Sequence, residues 1–181
     1  MHDVTRDELD AGLPEIARSP KDAGVLMQIV RRPRVGEREL LDRGELNGED
    51  GLSGDTWRHR GRSPHPDVQL TLMNSRVIAL ISPDESRRPL AGDQLFVDFD
   101  LSLANVPPGS RLAIGLAVVE ISAEPHTGCS KFLSRFGVDA MKFVNSATGR
   151  ELRLRGANAR VVQAGAIRLG DVVRKIDLPD R

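Results

Sequence analysis

Short apolar runs separated by Gly, Pro and Asn turns recur along the chain, and this pattern predicts a mainly β protein. Strands are predicted at residues 24–30, 68–73, 76–81, 94–99, 111–121, 151–155, 159–162 and 172–176. Many short strands joined by Gly and Pro turns indicate a barrel or a sandwich-like sheet.

Three of these runs carry distinct patterns. Residues 94–99 partly alternate, so that one face is apolar, which is the period of a half-buried strand. Residues 111–121 are apolar enough for a central strand that bends at Gly115. Residues 151–155 alternate between charged and leucine positions, which predicts leucines facing inward and charges facing solvent.

Helices are expected to be few and short. One is predicted at residues 5–17, where Thr5 can cap and Glu8 completes a capping box, although this segment could also be an ordered arm or a frayed terminus. Two more are predicted at residues 130–136, which end before a glycine, and at residues 139–144. The polar, Gly-rich loop at residues 47–66 is of the kind that is often functional or mobile.

The length and composition are those of one compact domain. We expect residues 1–23 to form the N-terminal arm or helix, residues 24–176 the domain and residues 177–181 a C-terminal tail. The 26 basic and 26 acidic residues balance, and only 3% of the residues are aromatic, so a nucleic-acid partner is not expected. No apolar run reaches the length of a membrane span, and a single cysteine suits a reducing compartment, so we expect a cytoplasmic protein without a membrane partner.

The single cysteine, Cys129, lies in the segment EPHTGCSKF (residues 124–132). A lone cysteine has no intramolecular disulfide partner, so its thiol is either small apolar packing or chemistry. His126 and Lys131 are close in sequence, and positive charge favours the thiolate, the form that binds metals and attacks electrophiles.

Three sequence blocks occur together around this cysteine. They are GLSGDTW (51–57) followed by a basic RHR stretch, the cysteine segment itself, and LRLRGANARVV (152–162). In this order and spacing the chain, from about residue 24 to residue 176, resembles the MOSC domain. This module is found at the C-terminus of molybdenum-cofactor sulfurases, in amidoxime-reducing enzymes and as small free-standing bacterial proteins.

The resemblance implies a mainly β, barrel-like MOSC fold with a few short helices, and it aligns Cys129 with the cysteine characteristic of the family. In amidoxime-reducing members that cysteine ligates molybdenum held by a pterin dithiolene, and in the sulfurases it has been proposed to carry sulfur as a persulfide. Several family members have Pro before the cysteine, whereas this chain has Gly128, which we expect to loosen the backbone. The resemblance thus implies Cys129 as metal ligand and catalytic residue, and molybdopterin as cofactor.

Cofactor-binding candidates follow from the charge of such a cofactor. A pterin cofactor carries a phosphate, and Arg side chains match phosphate geometry. Arg153 and Arg155 could grip it or could face solvent on a strand, whereas Arg160 interrupts a small apolar strand and is favoured. Arg60 belongs to a basic loop cluster that could close over an anion or be solvated.

The remaining candidates each have a structural alternative. His126 could bind phosphate or orient the thiolate, or pair with backbone; Lys131 could contact the same anion or be solvated. Asp55 could accept hydrogen bonds from the pterin or order its loop, and Asn158 could bind the pterin edge or lie in a turn. Trp57 is expected to be a packing anchor.

Two classes of function therefore compete. The first is a molybdenum enzyme that reduces N-hydroxylated compounds with electrons from a separate redox partner, since one cysteine cannot hold an iron–sulfur cluster. The second is a non-enzymatic module in which Cys129 takes sulfur from a donor protein for metal–sulfur centre assembly, or in which the barrel stores cofactor. A third possibility is a degenerate barrel retained for protein contacts.

Overall fold

The computed structural model describes residues 4–59, 61 and 64–176. Eleven strands lie within these residues: β1 (Ala23–Arg31), β2 (Glu39–Leu41), β3 (Arg43–Asn47), β4 (Gly51–Leu52), β5 (Leu70–Asn74), β6 (Leu95–Asp98), β7 (Arg111–Ile114), β8 (Ala117–Ile121), β9 (Ala157–Gln163), β10 (Gly165–Arg168) and β11 (Val172–Ile176). The helices are α1 (Arg6–Ala11), α2 (Leu13–Ala17), α3 (Ser75–Ile81), α4 (Ser130–Asn145) and α5 (Ala147–Glu151). Short 3₁₀ turns lie at Thr56–His59, Pro66–Val68 and Glu85–Ala91.

Seven of the described strands close into a mixed barrel in the order β1, β6, β5, β9, β8, β7 and β11, with β11 pairing back onto β1. The β5–β6 pair is parallel and the other pairs are antiparallel. Strand β2 pairs antiparallel with the end of β1, while β3, β4 and β10 form a small separate sheet. The predicted mainly β barrel with a few short helices is confirmed.

Two apolar cores hold this architecture together. One fills the barrel and includes Leu72 of β5 and Leu95 of β6. The other lies between the helices and the outside of the same strands, and includes Met73 and Phe96. Because β5 and β6 are covered on both faces, their sequences are nearly continuous apolar runs rather than alternating ones.

Two predicted strands are wrong. Residues 76–81 form α3, because the Asn74 side chain caps it by accepting from the Arg76 backbone N–H at 2.9 Å. Residues 151–155 lie at the end of α5 and in the turn that follows, where Arg153 has a positive φ of 47°.

Other elements differ from the prediction in detail. The single strand predicted at 111–121 is a hairpin of β7 and β8, turned at Gly115, where an added Cβ would lie 2.3 Å from an Asp171 carboxylate oxygen. The helix predicted at 5–17 is capped by the expected Thr5–Glu8 box but divides at Gly12 into α1 and α2. Strands β2, β3, β4 and β10 were not predicted.

The two helices predicted around Gly137 form the kinked helix α4. Gly137 has φ 84° and ψ 172°, a conformation that is essentially restricted to glycine, so the helical path is broken there. No helix in the described part of the chain is long and apolar enough to cross a membrane.

Candidate functional site

A cleft of about 790 Å³ opens beside the start of α4. Its described walls come from the loop after β1, the Thr56–His59 turn, the segment after β8 and the turn before β9. Among the described residues that line it, none is Asp or Glu, whereas six are basic: Arg32, Arg34, Arg38, Lys131, Arg135 and Arg155. Such a lining favours an anionic ligand.

Cys129 lies at the lip of this cleft, at the N-cap position of α4, and its side chain is exposed. Partial burial raises the pKa of the thiol. The backbone N–H groups of Phe132 and Lys131 and the positive charge of Arg155 lower the pKa, and together they outweigh burial. The net effect is a pKa below the ordinary value of a thiol. The site therefore stabilises the thiolate relative to that of an ordinary cysteine.

The backbone before Cys129 is held by the far end of α4. Gly128 donates its N–H to Asn145 Oδ1 at 2.9 Å, and Asn145 Nδ2 donates to the Gly128 carbonyl at 3.3 Å. A Cβ on Gly128 would lie 2.6 Å from Met141 Sδ, so the glycine permits close packing. The expectation that Gly128 loosens this backbone is therefore wrong.

Arg155 forms the floor of the cleft together with a buried carboxylate. Its Nη1 donates to Asp93 Oδ2 at 2.7 Å and its Nη2 donates to the Ala91 carbonyl at 2.9 Å. The guanidinium lies 4.9 Å from the ring centroid of Phe132. Its Nε is buried and has no hydrogen-bond partner among the described residues. Arg155 is thus a fixed positive charge beneath the thiol.

His126 lies beside this pair and is held neutral. Burial and the positive charges of Arg155 and Arg32 lower its pKa from 6.5 to about 4, against an opposing effect of Asp93. Its Nδ1 is 3.5 Å from Asp93 Oδ1, too long for a hydrogen bond, and both atoms are buried without a hydrogen-bond partner in the described part of the chain. His126 therefore lines the cleft as a neutral imidazole.

A second buried ion pair supports the opposite wall. Both Asp55 oxygens accept from the Arg32 guanidinium, at 2.7 and 2.8 Å, and they also accept the backbone N–H groups of Arg32 and Trp57. Arg32 Nη1 donates to the Gly92 carbonyl. Asp55 thus orders its own loop, which is the structural alternative to binding a pterin, and it does not line the cleft.

The structure brings Cys129, His126, Lys131, Arg155 and Asn158 together along the cleft. Asn158 Nδ2 donates to the Glu124 carbonyl at 3.1 Å, and no described residue donates to its Oδ1.

Two other candidates lie elsewhere. Arg160 pairs with Glu120 at 2.7 Å outside the cleft, so the favoured arginine of the sequence prediction is not brought to the site. Arg153 donates to the backbone carbonyls of Leu101 and Val106 and is also not a lining residue. Arg60 lies outside the described residues.

Sequence reasoning missed Arg32 and Asp93, the buried charges that complete the two ion pairs. Each is a charged residue at the border of an apolar strand, and this position is visible in the sequence. Arg32 follows β1, and Asp93 precedes β6 in the turn AGD. What the sequence could not show was which charges pair across the fold.

Comparison with known proteins shows likeness of fold. The chain resembles the YuaD protein from Bacillus subtilis (TM-score 0.60, 19% identity, covering 86% of this chain and 97% of that one). It also resembles YiiM from Escherichia coli (TM-score 0.58, 19% identity, covering 87% and 72%) and a hypothetical protein (TM-score 0.61, 20% identity, covering 87% and 69%). No protein-family model and no curated protein sequence matches the chain.

Proposed function

We propose that this chain is a MOSC-type protein whose cleft binds the phosphate-bearing pterin cofactor of molybdenum, with the Cys129 thiolate as the protein ligand to the metal. The observation that carries the proposal is an exposed thiol of lowered pKa at the lip of a cleft whose described lining contains six basic residues and no carboxylate. The likeness in fold to YuaD and YiiM supports the barrel part of the proposal.

The residues present suit such a group in two respects. Soft thiolates bind thiophilic metals, and the Arg and Lys donors match phosphate oxygens. In addition, three residues that line the cleft carry side-chain nitrogens that are buried without a hydrogen-bond partner among the described residues: Trp57 Nε1, Arg155 Nε and His126 Nδ1. Such unsatisfied groups are uncommon in folded proteins and mark a place where a ligand can complete the hydrogen bonding.

Each side chain would contribute a separate interaction. Cys129 would bind the metal, while Arg155 and the first backbone N–H groups of α4 would stabilise the negative charge on its sulfur. Lys131 and Arg38 would bind the anionic tail, and the Oδ1 of Asn158, to which no described residue donates, would accept from a ring N–H. When bound, the cofactor would supply oxygen-atom transfer that reduces N-hydroxylated compounds, with electrons from a separate redox partner.

The test is metal and pterin analysis of protein purified from cells that make molybdenum cofactor. Wild type should carry near-stoichiometric molybdenum and pterin, Cys129→Ala should lose the metal, and Lys131→Ala should bind the pterin more weakly. Arg160→Ala is the matched control, because it removes a basic side chain outside the cleft and should load like wild type. Absence of both molybdenum and pterin from wild type, after gentle purification, would contradict the proposal.

The second candidate is a sulfur carrier, and the exposure of Cys129 favours it because a donor protein can reach the thiol. The Cys129 thiolate would attack the outer sulfur of a donor persulfide, forming one S–S bond and breaking another. The donor would leave as a thiolate, and no net oxidation would occur. This function predicts cyanide-labile sulfur and the added mass of one sulfur atom on wild type but not on Cys129→Ala.

A further inference from the structure

Helix α4 is a helical hairpin that brings its own last residue back to its beginning. A straight helix of this length would separate its ends by about 24 Å. Instead, the Asn145 side chain lies 2.9 Å from the Gly128 backbone nitrogen, two residues before the helix starts. The break at Gly137 is what reverses the path, so Asn145 and Cys129 are neighbours although they occupy opposite ends of one element.

The Asn145 side chain makes one accepted and one donated hydrogen bond with the Gly128 backbone. The amide oxygen accepts the Gly128 N–H and the amide nitrogen donates to the Gly128 carbonyl, as a neighbouring strand would. Asn145 Nδ2 also lies 3.5 Å from Met141 Sδ, which in turn packs where a Cβ of residue 128 would lie. The peptide groups on both sides of Gly128 are thus fixed by one side chain.

This arrangement determines where the Cys129 sulfur can lie. Cys129 is the N-cap residue of α4, so it directly precedes the free backbone N–H groups of the first helical turn, and the interaction of its sulfur with them depends on direction and distance. The backbone of Gly128 sets that direction, because it leads directly into Cys129. Asn is also a poor helix former, so its presence in the last turn of α4 is not explained by helix propensity.

We propose that Asn145 is a positioning residue for Cys129, acting through the backbone of Gly128. The proposal rests on the proposed function only in taking the Cys129 thiol as the reactive group of the site. It makes no assumption about which ligand the thiol binds.

The test uses the single cysteine of the purified chain as its own reporter. In wild type and Asn145→Ala, Cys129 is alkylated with iodoacetamide to obtain a rate constant and, separately, labelled with a nitroxide for its electron paramagnetic resonance line shape. We expect the alkylation rate of Asn145→Ala to change by about threefold or more, because two hydrogen bonds that hold the loop are lost. We also expect a narrower, more mobile nitroxide spectrum.

Asn105→Ala is the matched control. The Asn105 side chain also hydrogen-bonds to the backbone, by donating to the carbonyls of Lys21 and Asp100, and it accepts from Lys175 Nζ, but it lies in the loop between β6 and β7. It should lower the melting temperature while leaving the rate and the spectrum of Cys129 as in wild type. The proposal is overturned if Asn145→Ala loses stability and yet keeps the wild-type rate and spectrum.

A second variant covers the case in which Asn145→Ala does not fold. Asn145→Gln keeps the amide but extends it by one methylene, so it should fold and displace the Gly128 backbone. Its rate and spectrum then decide the question in the same way. Absence of both molybdenum and pterin from wild type would contradict the proposed function without affecting either readout.

Discussion

The buried pair of Arg32 and Asp55 gives the sharpest quantitative prediction. The two side chains are 7% and 0% exposed, and the carboxylate accepts four hydrogen bonds. Asp55→Ala leaves a guanidinium buried without its counter-charge, a change that costs about 3–5 kcal/mol of unfolding free energy. For a chain of this size this corresponds to a fall in melting temperature of about 6–20 °C.

The assay is thermal and urea unfolding followed by circular dichroism, with Glu39→Ala as control. Glu39 forms an ion pair with Arg31 at similar distances, 2.6 and 2.7 Å, but both side chains are more than a third exposed, so its loss should cost less than about 1 kcal/mol. Adding Arg32→Met to Asp55→Ala should recover part of the loss, because the unpaired charge is removed. Equal effects of Asp55→Ala and Glu39→Ala would refute the reasoning, since the Asp55 pair is buried and Asp55 also accepts two backbone N–H groups.

Three further predictions concern the site and its supports. Partial burial raises the pKa of Cys129, but the N–H groups of α4 and the charge of Arg155 lower it by more. The rate of alkylation, measured against pH, should therefore have its midpoint below the pKa of a free thiol. A midpoint at or above that pKa would contradict the prediction. His126 has a folded pKa of about 4 against 6.5 unfolded, so its unfolded form takes up a proton first and stability is lost as pH falls from 6.5 to 4. Between pH 7 and pH 4.5 the free energy of unfolding in urea should therefore fall by about 2–3 kcal/mol less in His126→Gln than in wild type. Equal falls in the two proteins would contradict this prediction. Gly137→Ala forces a side chain into a conformation reserved for glycine and should cost about 1–3 kcal/mol in urea unfolding, whereas an unchanged midpoint would show that α4 tolerates a different path.

The parts of the fold that were predictable depend on local pattern. Strands β1, β6, β9 and β11 each contain a short apolar stretch near turn residues, and the capping box at Thr5 is a local signal. The strand predicted at residues 76–81 was wrong because its apolar residues suit a buried strand or a buried helix equally well. The Asn74 cap favours the helix that the structure shows.

The candidate site was predictable where the residues are close in sequence. Cys129, His126 and Lys131 lie in one segment, and all three line the cleft. Pairings across the fold were not predictable, because nothing in the sequence around Arg155 specifies that Asp93 will lie 2.7 Å from it. The false strand at residues 151–155 also made Arg155 resemble a solvent-facing residue, although it is buried.

The pairing of β11 with β1 means that the barrel can close only when synthesis of the chain is almost finished. Val25 and Val172 are register partners, almost 150 residues apart. At about 5–20 residues per second, β1 must wait roughly 7–30 s on the ribosome before its last neighbour exists. During that interval the edge of β1 that β11 will cover stays open, beside the partly exposed Val25 and Met27. Open apolar edges pair readily with other chains, so slower translation of the final strands should increase aggregation of the nascent protein.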